Sequence, residues 1–320
     1  MELPSQLRRA IDLALSDTTL AEVTASATAL SQRYREERRD GRPHVGSDGD
    51  ALAYLAVRLP ATFAAVRASF AAIAEARPDF TPNTALDIGA GPATALWAAA
   101  DCWPALADAV LVEASPIFRA WGERLAGGAH LPRITWRTAD VAVETIDCPS
   151  SDLVILGYTL NELAPNVRQS VLQRLWRATA DILVIVEPGT PAGWQRILIA
   201  RSQLIESGAH VIAPCPHTYA CPLQPPDWCH FAQRVARSRL HRQAKEATVP
   251  WEDEKFSYIA VSRAPAATAA ARVIAPPRRA SGRVTLKLCR PDGSAGEQLL
   301  SRRDGTSFKR ASRSDWGSSL

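Results

Sequence analysis

Along residues 1 to about 80, apolar positions recur at spacings of three and four. LRRAIDLAL, LAEVTASATALSQRY and LAYLAVRLPATFAAVRASFAAIAEA carry this period with alanine between the larger side chains, which predicts helices and a small N-terminal helical domain over 1–80. Near residue 84 the period changes. TALDI (84–88), AVLVE (109–113), RITWR (133–137), DLVILGY (152–158) and ADILVIVE (180–187) are short apolar runs separated by stretches long enough for crossover helices. Such alternation predicts an α/β fold with a doubly wound, Rossmann-like parallel sheet. HVIAP (210–214) and KFSYIAVSR (255–263) add two strands, and the segment between them, 214–250, reads as an insertion. The sheet domain therefore spans 81–265. Beyond it, APAATAAARVIAPPRRASG is a low-complexity linker, and RVTLKLCRPDGSAGEQLLSRRDG has two strand-like runs around a PDG turn, so 266–320 is expected to be a basic linker and a small β-rich appendage.

Charge sharpens this division. The net charge is +4, but from Arg272 onward eleven Lys and Arg stand against four Asp and Glu, so that region carries +7 and the rest −3. A basic terminal region suits a polyanion such as RNA, because neutralising phosphates releases counterions. The charged stretch RYREERRDGRP (33–43) reads as an exposed helix end and loop, with a nucleic-acid role as the alternative. No apolar run reaches the roughly 20 residues of a membrane span, and MELPSQLRRAIDLAL lacks the order of a secretory signal. The expectation is a cytoplasmic chain, in which six scattered cysteines do not form a disulfide framework.

LDIGAGPATALWAAA (86–100) reads as strand, glycine turn and helix. Gly89 and Gly91 permit a tight turn and close backbone approach to a ligand, and Ala93 stands where a dinucleotide fingerprint has its third glycine. Glu113 ends the second strand, where a carboxylate can accept from both ribose hydroxyls, and Asp140 follows the third. With Asp87 ahead of the glycines, this D-x-G-x-G arrangement resembles the S-adenosylmethionine site of class I methyltransferases. The resemblance places Asp87, Gly89 and Gly91 near the methionine part, Glu113 at the ribose and Asp140 near the adenine. After the fourth strand stands LGYTLNEL, not the D/N-P-P-Y/F signature of amino-methylating enzymes. Tyr158, Asn161, Glu162 and Glu187 are polar groups at strand ends, and no catalytic residue is nominated among them.

CPHTYACPLQPPDWCHF (215–231) holds Cys215, Cys221 and Cys229, and Cys289 lies sixty positions beyond. Its prolines stiffen a connection that can hold thiolates in fixed directions. Two ligand sets follow: three cysteines with Cys289, or three cysteines with His217 or His230. Zinc accepts either, while a cubane iron-sulfur cluster most often takes four thiolates. This stretch, with EDEKFSYIAVSR, KLCRPDG, LGYTLNEL, VEPGTPAGW and the terminal SDWGSSL, resembles the methyltransferase-like assembly factors of the small ribosomal subunit, found in bacteria and mitochondria. The resemblance implies a [4Fe-4S] cluster on Cys215, Cys221, Cys229 and Cys289. It also implies a tail folded back on the methyltransferase-like domain, and binding to the maturing small subunit through its ribosomal RNA, by a protein monomeric when free. Trp316, Phe308 and nearby arginines are then candidates for base stacking and phosphate contact. Methyl transfer stays an open expectation.

Overall fold

The computed structural model describes residues 1–35, 45–144, 148–267 and 271–320, and most of the charged 33–43 stretch lies outside them. Four helices come first: α1 (Ser5–Ala14), α2 (Leu20–Arg35), α3 (Asp48–Val57) and α4 (Leu59–Ala76). Then follow β1 (Thr84–Ile88), α5 (Thr94–Cys102), β2 (Asp108–Val112), α6 (Pro116–Ala126), β3 (Arg133–Arg137), β4 (Ser151–Gly157), α7 (Pro165–Ala178), β5 (Thr179–Pro188) and α8 (Pro191–Glu206). The sheet domain ends with β6 (His210–Ala213), β7 (Phe231–Ala236), α9 (Arg239–Ala244) and β8 (Trp251–Ser262). A terminal unit consists of β9 (Arg272–Val273), β10 (Arg278–Ala280), β11 (Arg283–Cys289), β12 (Ala295–Ser301) and α10 (Gly305–Arg313).

The large sheet runs β3-β2-β1-β4-β5-β8-β6, with β7 also on β8. Strands β1 to β5 are parallel neighbours, whereas β8 runs antiparallel to β5, β6 and β7. The order reverses between β1 and β4, so the carboxyl ends of the parallel strands open a crevice at that switch point. This is the class I methyltransferase-like architecture expected from the alternation of apolar runs.

Both sheet faces are covered. One apolar core joins α1, α3, α4, α5 and α6 to β1, β4, β5 and β8, and a second packs α7 and α8 on the other face. The N-terminal helices thus share the sheet's core: Phe63 and Phe70 of α4 are 1% and 0% exposed, and α4 packs on β5, β6, β7 and β8. The reason lies in composition, since α4 is apolar on nearly its whole surface and needs a partner on more than one side. No single helix among the described residues is long and apolar enough to cross a membrane.

The 214–250 segment is more ordered than the sequence reading has it, because it contains β7 and α9. The terminal unit has its own small core, with Val284, Leu286 and Leu288 of β11 facing Ala311 and Phe308 of α10. Its chain end returns along β9: the Leu320 and Ala271 amides each donate to the other's carbonyl (2.9 and 3.1 Å), and Val273 N–H donates to Ser318 O at 3.0 Å.

Candidate functional sites

At the carboxyl end of β1 the backbone turns through Gly89 and Gly91, with φ of +69° and +55°. The two glycines answer different needs. A Cβ at 89 would lie 2.3 Å from Thr159 Oγ1, whereas a Cβ at 91 would meet nothing within 4 Å. The bare backbone at Gly91 faces a cleft of about 1950 Å³ lined also by Glu113, Asp140, Tyr158 and Glu162. Ala93, the α5 N-cap, holds φ +66°, a left-handed geometry that costs a residue with a Cβ about 1 kcal/mol or more.

Glu113 sits one position past β2, 8% exposed, and its two oxygens accept the Gly91 and Ser115 N–H groups, each at 2.7 Å. It therefore ties the glycine turn to the start of α6 while still lining the cleft. Burial raises its pKa, against the pull of those amides. Asp140 also lines the cleft, and its Oδ1 accepts from Ala142 N–H at 2.8 Å, which stabilises the turn it begins. Asp87 lies beneath the loop, 2% exposed, with one carboxyl oxygen lacking a hydrogen-bond partner. Burial, with Glu113 nearby, pushes its pKa up to about 8.

Two more carboxyls stand at this end of the sheet, Glu162 on the cleft wall and Glu187 buried behind it. Glu162 is exposed to the cleft, and its enclosed surroundings and the charges of Glu113 and Glu187 raise its pKa. Glu187 is fully buried and raised to about 7 by burial, although Arg196 Nε bonds it at 2.5 Å. The ion pair to α8 gives this strand-end carboxyl a structural partner. The opposite wall brings residues that the strand pattern does not reveal. Tyr158, itself at φ +57°, donates its hydroxyl to Glu254 Oε1 at 3.0 Å, and Arg58 Nη2 lies 3.5 Å from that oxygen.

The four predicted thiols come together at a second place. Cys215, Cys221, Cys229 and Cys289 line one small cavity with His217, Arg201, Arg272, Tyr258 and several apolar side chains. Three of the cysteines come from the loop after β6 and the fourth from the end of β11. Burial and then the neighbouring cysteines push the Cys229 thiol well up, and the same causes take Cys289 to about 12. His217 Nε2 lies 3.4 Å from Cys289 Sγ. His230 turns away from the cavity, stacked on Trp228 at 4.8 Å and edge-on to Trp316 at 4.9 Å. Among the described residues, no three His, Cys, Asp or Glu side chains gather as closely as a single metal ion requires.

Arg201 and Arg272 escaped the sequence reading. For Arg201 a signal existed: Trp194, Ile197, Arg201 and Leu204 follow one another at helical spacing, which places the arginine on the buried stripe of α8. Trp316 and Phe308, candidates for base stacking, are both half-buried and packed inside the protein.

Residues 48–320 match the model of a family described as mitochondrial small ribosomal subunit Rsm22. The human mitochondrial ribosome assembly protein METTL17 is 30% identical over 295 residues, which cover 86% of this chain and 63% of that protein. The mitochondrial Rsm22-cox11 tandem protein 2 of Schizosaccharomyces pombe is 21% identical over 352 positions, covering 92% and 45%. The chain spans less than two thirds of the length of these curated relatives. Among solved structures, magnesium protoporphyrin IX methyltransferase from Synechocystis, with S-adenosylhomocysteine, gives a TM-score of 0.42 at 13% identity, over 73% of this chain and 94% of that one.

Proposed function

Since this chain belongs to the Rsm22 family of mitochondrial small ribosomal subunit proteins, we propose that it is a maturation factor of a small ribosomal subunit, acting in the bacterial cytoplasm. In this reading it binds ribosomal RNA, holds S-adenosylmethionine in the glycine-turn cleft and carries a [4Fe-4S] cluster on Cys215, Cys221, Cys229 and Cys289. The carrying observation is the meeting of these four cysteines, 74 positions apart from first to last, at the seam between the methyltransferase-like sheet and the basic terminal unit. A group bound there clamps the terminal unit to the core.

The donor chemistry supports a cluster. Four thiols stand on the walls of one cavity whose described lining includes no Asp or Glu. Each thiolate of a cubane takes a different iron, so its sulfurs stand further apart than four around one zinc ion. When bound, the cluster supplies a covalent cross-link and a redox-active centre.

The cleft supports S-adenosylmethionine on charge as well as shape. The ligand carries a sulfonium and an ammonium, and Glu113 and Glu162 on the cleft wall, with Asp87 buried beneath the glycine turn, supply carboxyls that a cation would hold ionised. The RNA face is the terminal unit. Arg283, Arg302, Arg303, Lys309, Arg310 and Arg313 are all exposed there, and with the aromatics packed inward the contact is to phosphate rather than to stacked bases.

The first test is anaerobic purification with metal and sulfide analysis. A broad band near about 400 nm with about four iron and four sulfide per chain supports the cluster, whereas about one zinc in a colourless sample replaces it with zinc. RNA affinity should fall steeply with salt and drop when 272–320 is deleted; a flat salt response would sink the RNA role and favour a zinc-containing small-molecule methyltransferase. The open backbone at Gly91 also favours a second reading, an active ribosomal RNA methyltransferase. Methyl transfer to small-subunit RNA that Gly91→Arg abolishes in a protein that is still folded would establish it.

A further inference from the structure

Two arginines in the cysteine cavity have no adequate counter-charge. Arg201 on α8 and Arg272 on β9 are 4% and 2% exposed. Arg201 donates from Nη2 to His217 O at 2.8 Å, and its Nε is buried without a hydrogen-bond partner. Arg272 donates from Nε to Pro214 O at 3.0 Å and from Nη1 to Gly317 O at 2.8 Å. The carboxylate of Glu75 lies 3.9 Å from Arg272 on a side chain more than half exposed, too far and too wet to neutralise it. Among the described residues, no ion pair reaches Arg201 and no Asp or Glu lines the cavity. Two guanidiniums taken out of water in this way are tolerated only beside compensating negative charge.

We propose that Arg201 and Arg272 form a charge clamp that makes this cavity a receptor for a dianionic metal-thiolate group and holds up its reduction potential. The proposal rests on the cluster reading above and deepens it, because it also chooses the ligand set. Four thiolates around a cubane core of charge +2 leave a net −2, which two guanidiniums neutralise; three thiolates with a neutral histidine leave only −1. The match assigns Cys289 as the fourth ligand. It leaves His217 outside the coordination shell, where its Nε2–H can donate to the Cys289 sulfur across the 3.4 Å between them. One-electron reduction of the core, with dithionite as electron donor, takes the group from −2 to −3, and the nearby positive charges favour that extra electron. Arg201 and Arg272 are positioning residues here, since they act through the thiolates.

The test is a dithionite titration of the anaerobically reconstituted full chain, followed by electron paramagnetic resonance, with iron and sulfide counted on every sample. Arg201→Gln should move the midpoint potential to a more negative value, and Arg201→Lys should restore most of the shift. Arg272→Gln should act in the same direction, although it also removes bonds that hold the chain end, so the Arg201 pair of variants decides. An unchanged potential in Arg201→Gln at full iron content overturns the clamp and leaves the cluster reading intact. If the wild type takes up zinc instead, the clamp predicts faster loss of zinc to a chelator in Arg201→Gln, and an unchanged rate overturns it. A wild type that binds neither metal overturns the clamp together with the reading beneath it.

Discussion

The two sites of this protein solve opposite electrostatic problems. The glycine-turn cleft is wide and open, with carboxyls on its wall and beneath its glycine turn whose pKa values are raised in the absence of a cation. The cysteine cavity is small and apolar, with buried cations that await an anion. A cation entering the first and an anionic metal-thiolate group forming in the second would each relieve an imbalance that the polypeptide alone leaves in place. The difference also has a structural side. The cleft is walled by the sheet and by the N-terminal helices that share its core, whereas the cavity is completed by Arg272, Ile274 and Cys289 of the terminal unit.

That contrast predicts all-or-none behaviour at the cavity. Cys229→Ser should lose essentially all bound metal and release the 271–320 unit, read as rapid loss of a terminal fragment in limited proteolysis. An unchanged digestion pattern would show that Arg272 and the β9 pairing hold the unit without the metal. Behind the cleft the largest effect should come from the buried ion pair of Glu187 and Arg196. Arg196→Met leaves Glu187 buried and unpaired, a loss of about 3–5 kcal/mol measured as a lowered denaturation midpoint. The double variant Glu187→Leu with Arg196→Met should recover most of it, because removing both charges removes the desolvation cost as well.

The same contrast explains what the sequence disclosed. The cleft was legible because its parts are local: Asp87, Gly89 and Gly91 fall within five residues, and strand TALDI has the bounds read from its apolar run. Glu113 was placed correctly at a strand end, but its bonds to Gly91 and Ser115 could not be read, since they depend on the crossing of β2 beside the turn. The four cysteines stood out by rarity, whereas Arg201 was legible only from the apolar stripe it shares with Trp194, Ile197 and Leu204, and Arg272 looks like a surface residue until the fold buries it. Strand β7 was missed because FAQRVA alternates poorly, with only Phe231 and Val235 buried. The N-terminal helices read as a separate domain because helical periodicity reports a buried face without saying what covers it.

The carboxyl beneath the glycine turn gives the cleft a pH signature. Asp87, 2% exposed, is pushed up to about 8 in the folded chain and lies near 4 when unfolded. Between those values the folded state holds a proton that the unfolded state has lost, so the contribution of Asp87 to stability is greatest below about pH 4, falls as pH rises, and levels off above about pH 8. It contributes a slope of up to about 1.4 kcal/mol per pH unit. Asp87→Asn should flatten the decline by one group's share in denaturant titrations from pH 5 to 8. Saturating S-adenosylmethionine should flatten it too, because a bound cation favours the ionised carboxyl; a slope unmoved by ligand would separate Asp87 from the binding site. Glu252 works in the other direction. Its partners His241 and Arg237 hold its pKa at about 2 against the opposing effect of burial, so its stabilisation is present above the normal carboxylate range and lost only as pH falls toward 2.

The finest distinction lies between the two glycines. At both positions an alanine must hold a left-handed backbone, at a cost of about 1 kcal/mol. At Gly89 the added methyl would also press on Thr159, whose hydroxyl is bonded to Ile88 O at 3.3 Å and Gly157 O at 3.1 Å, so the strand ends themselves must shift. Gly89→Ala should therefore lower thermal stability well beyond the backbone cost. Gly91→Ala should lose little beyond that cost, because its methyl enters open space. That space is the cleft, so Gly91→Ala should weaken S-adenosylmethionine binding by about tenfold, some 1.4 kcal/mol, in calorimetry on a protein that is still folded. Equal stability losses for the two variants would mean that Thr159 does not constrain the turn. Undiminished binding in Gly91→Ala would mean that the ligand does not approach the backbone at the turn, and the binding site would then have to lie further along the cleft, toward Arg58 and Glu254.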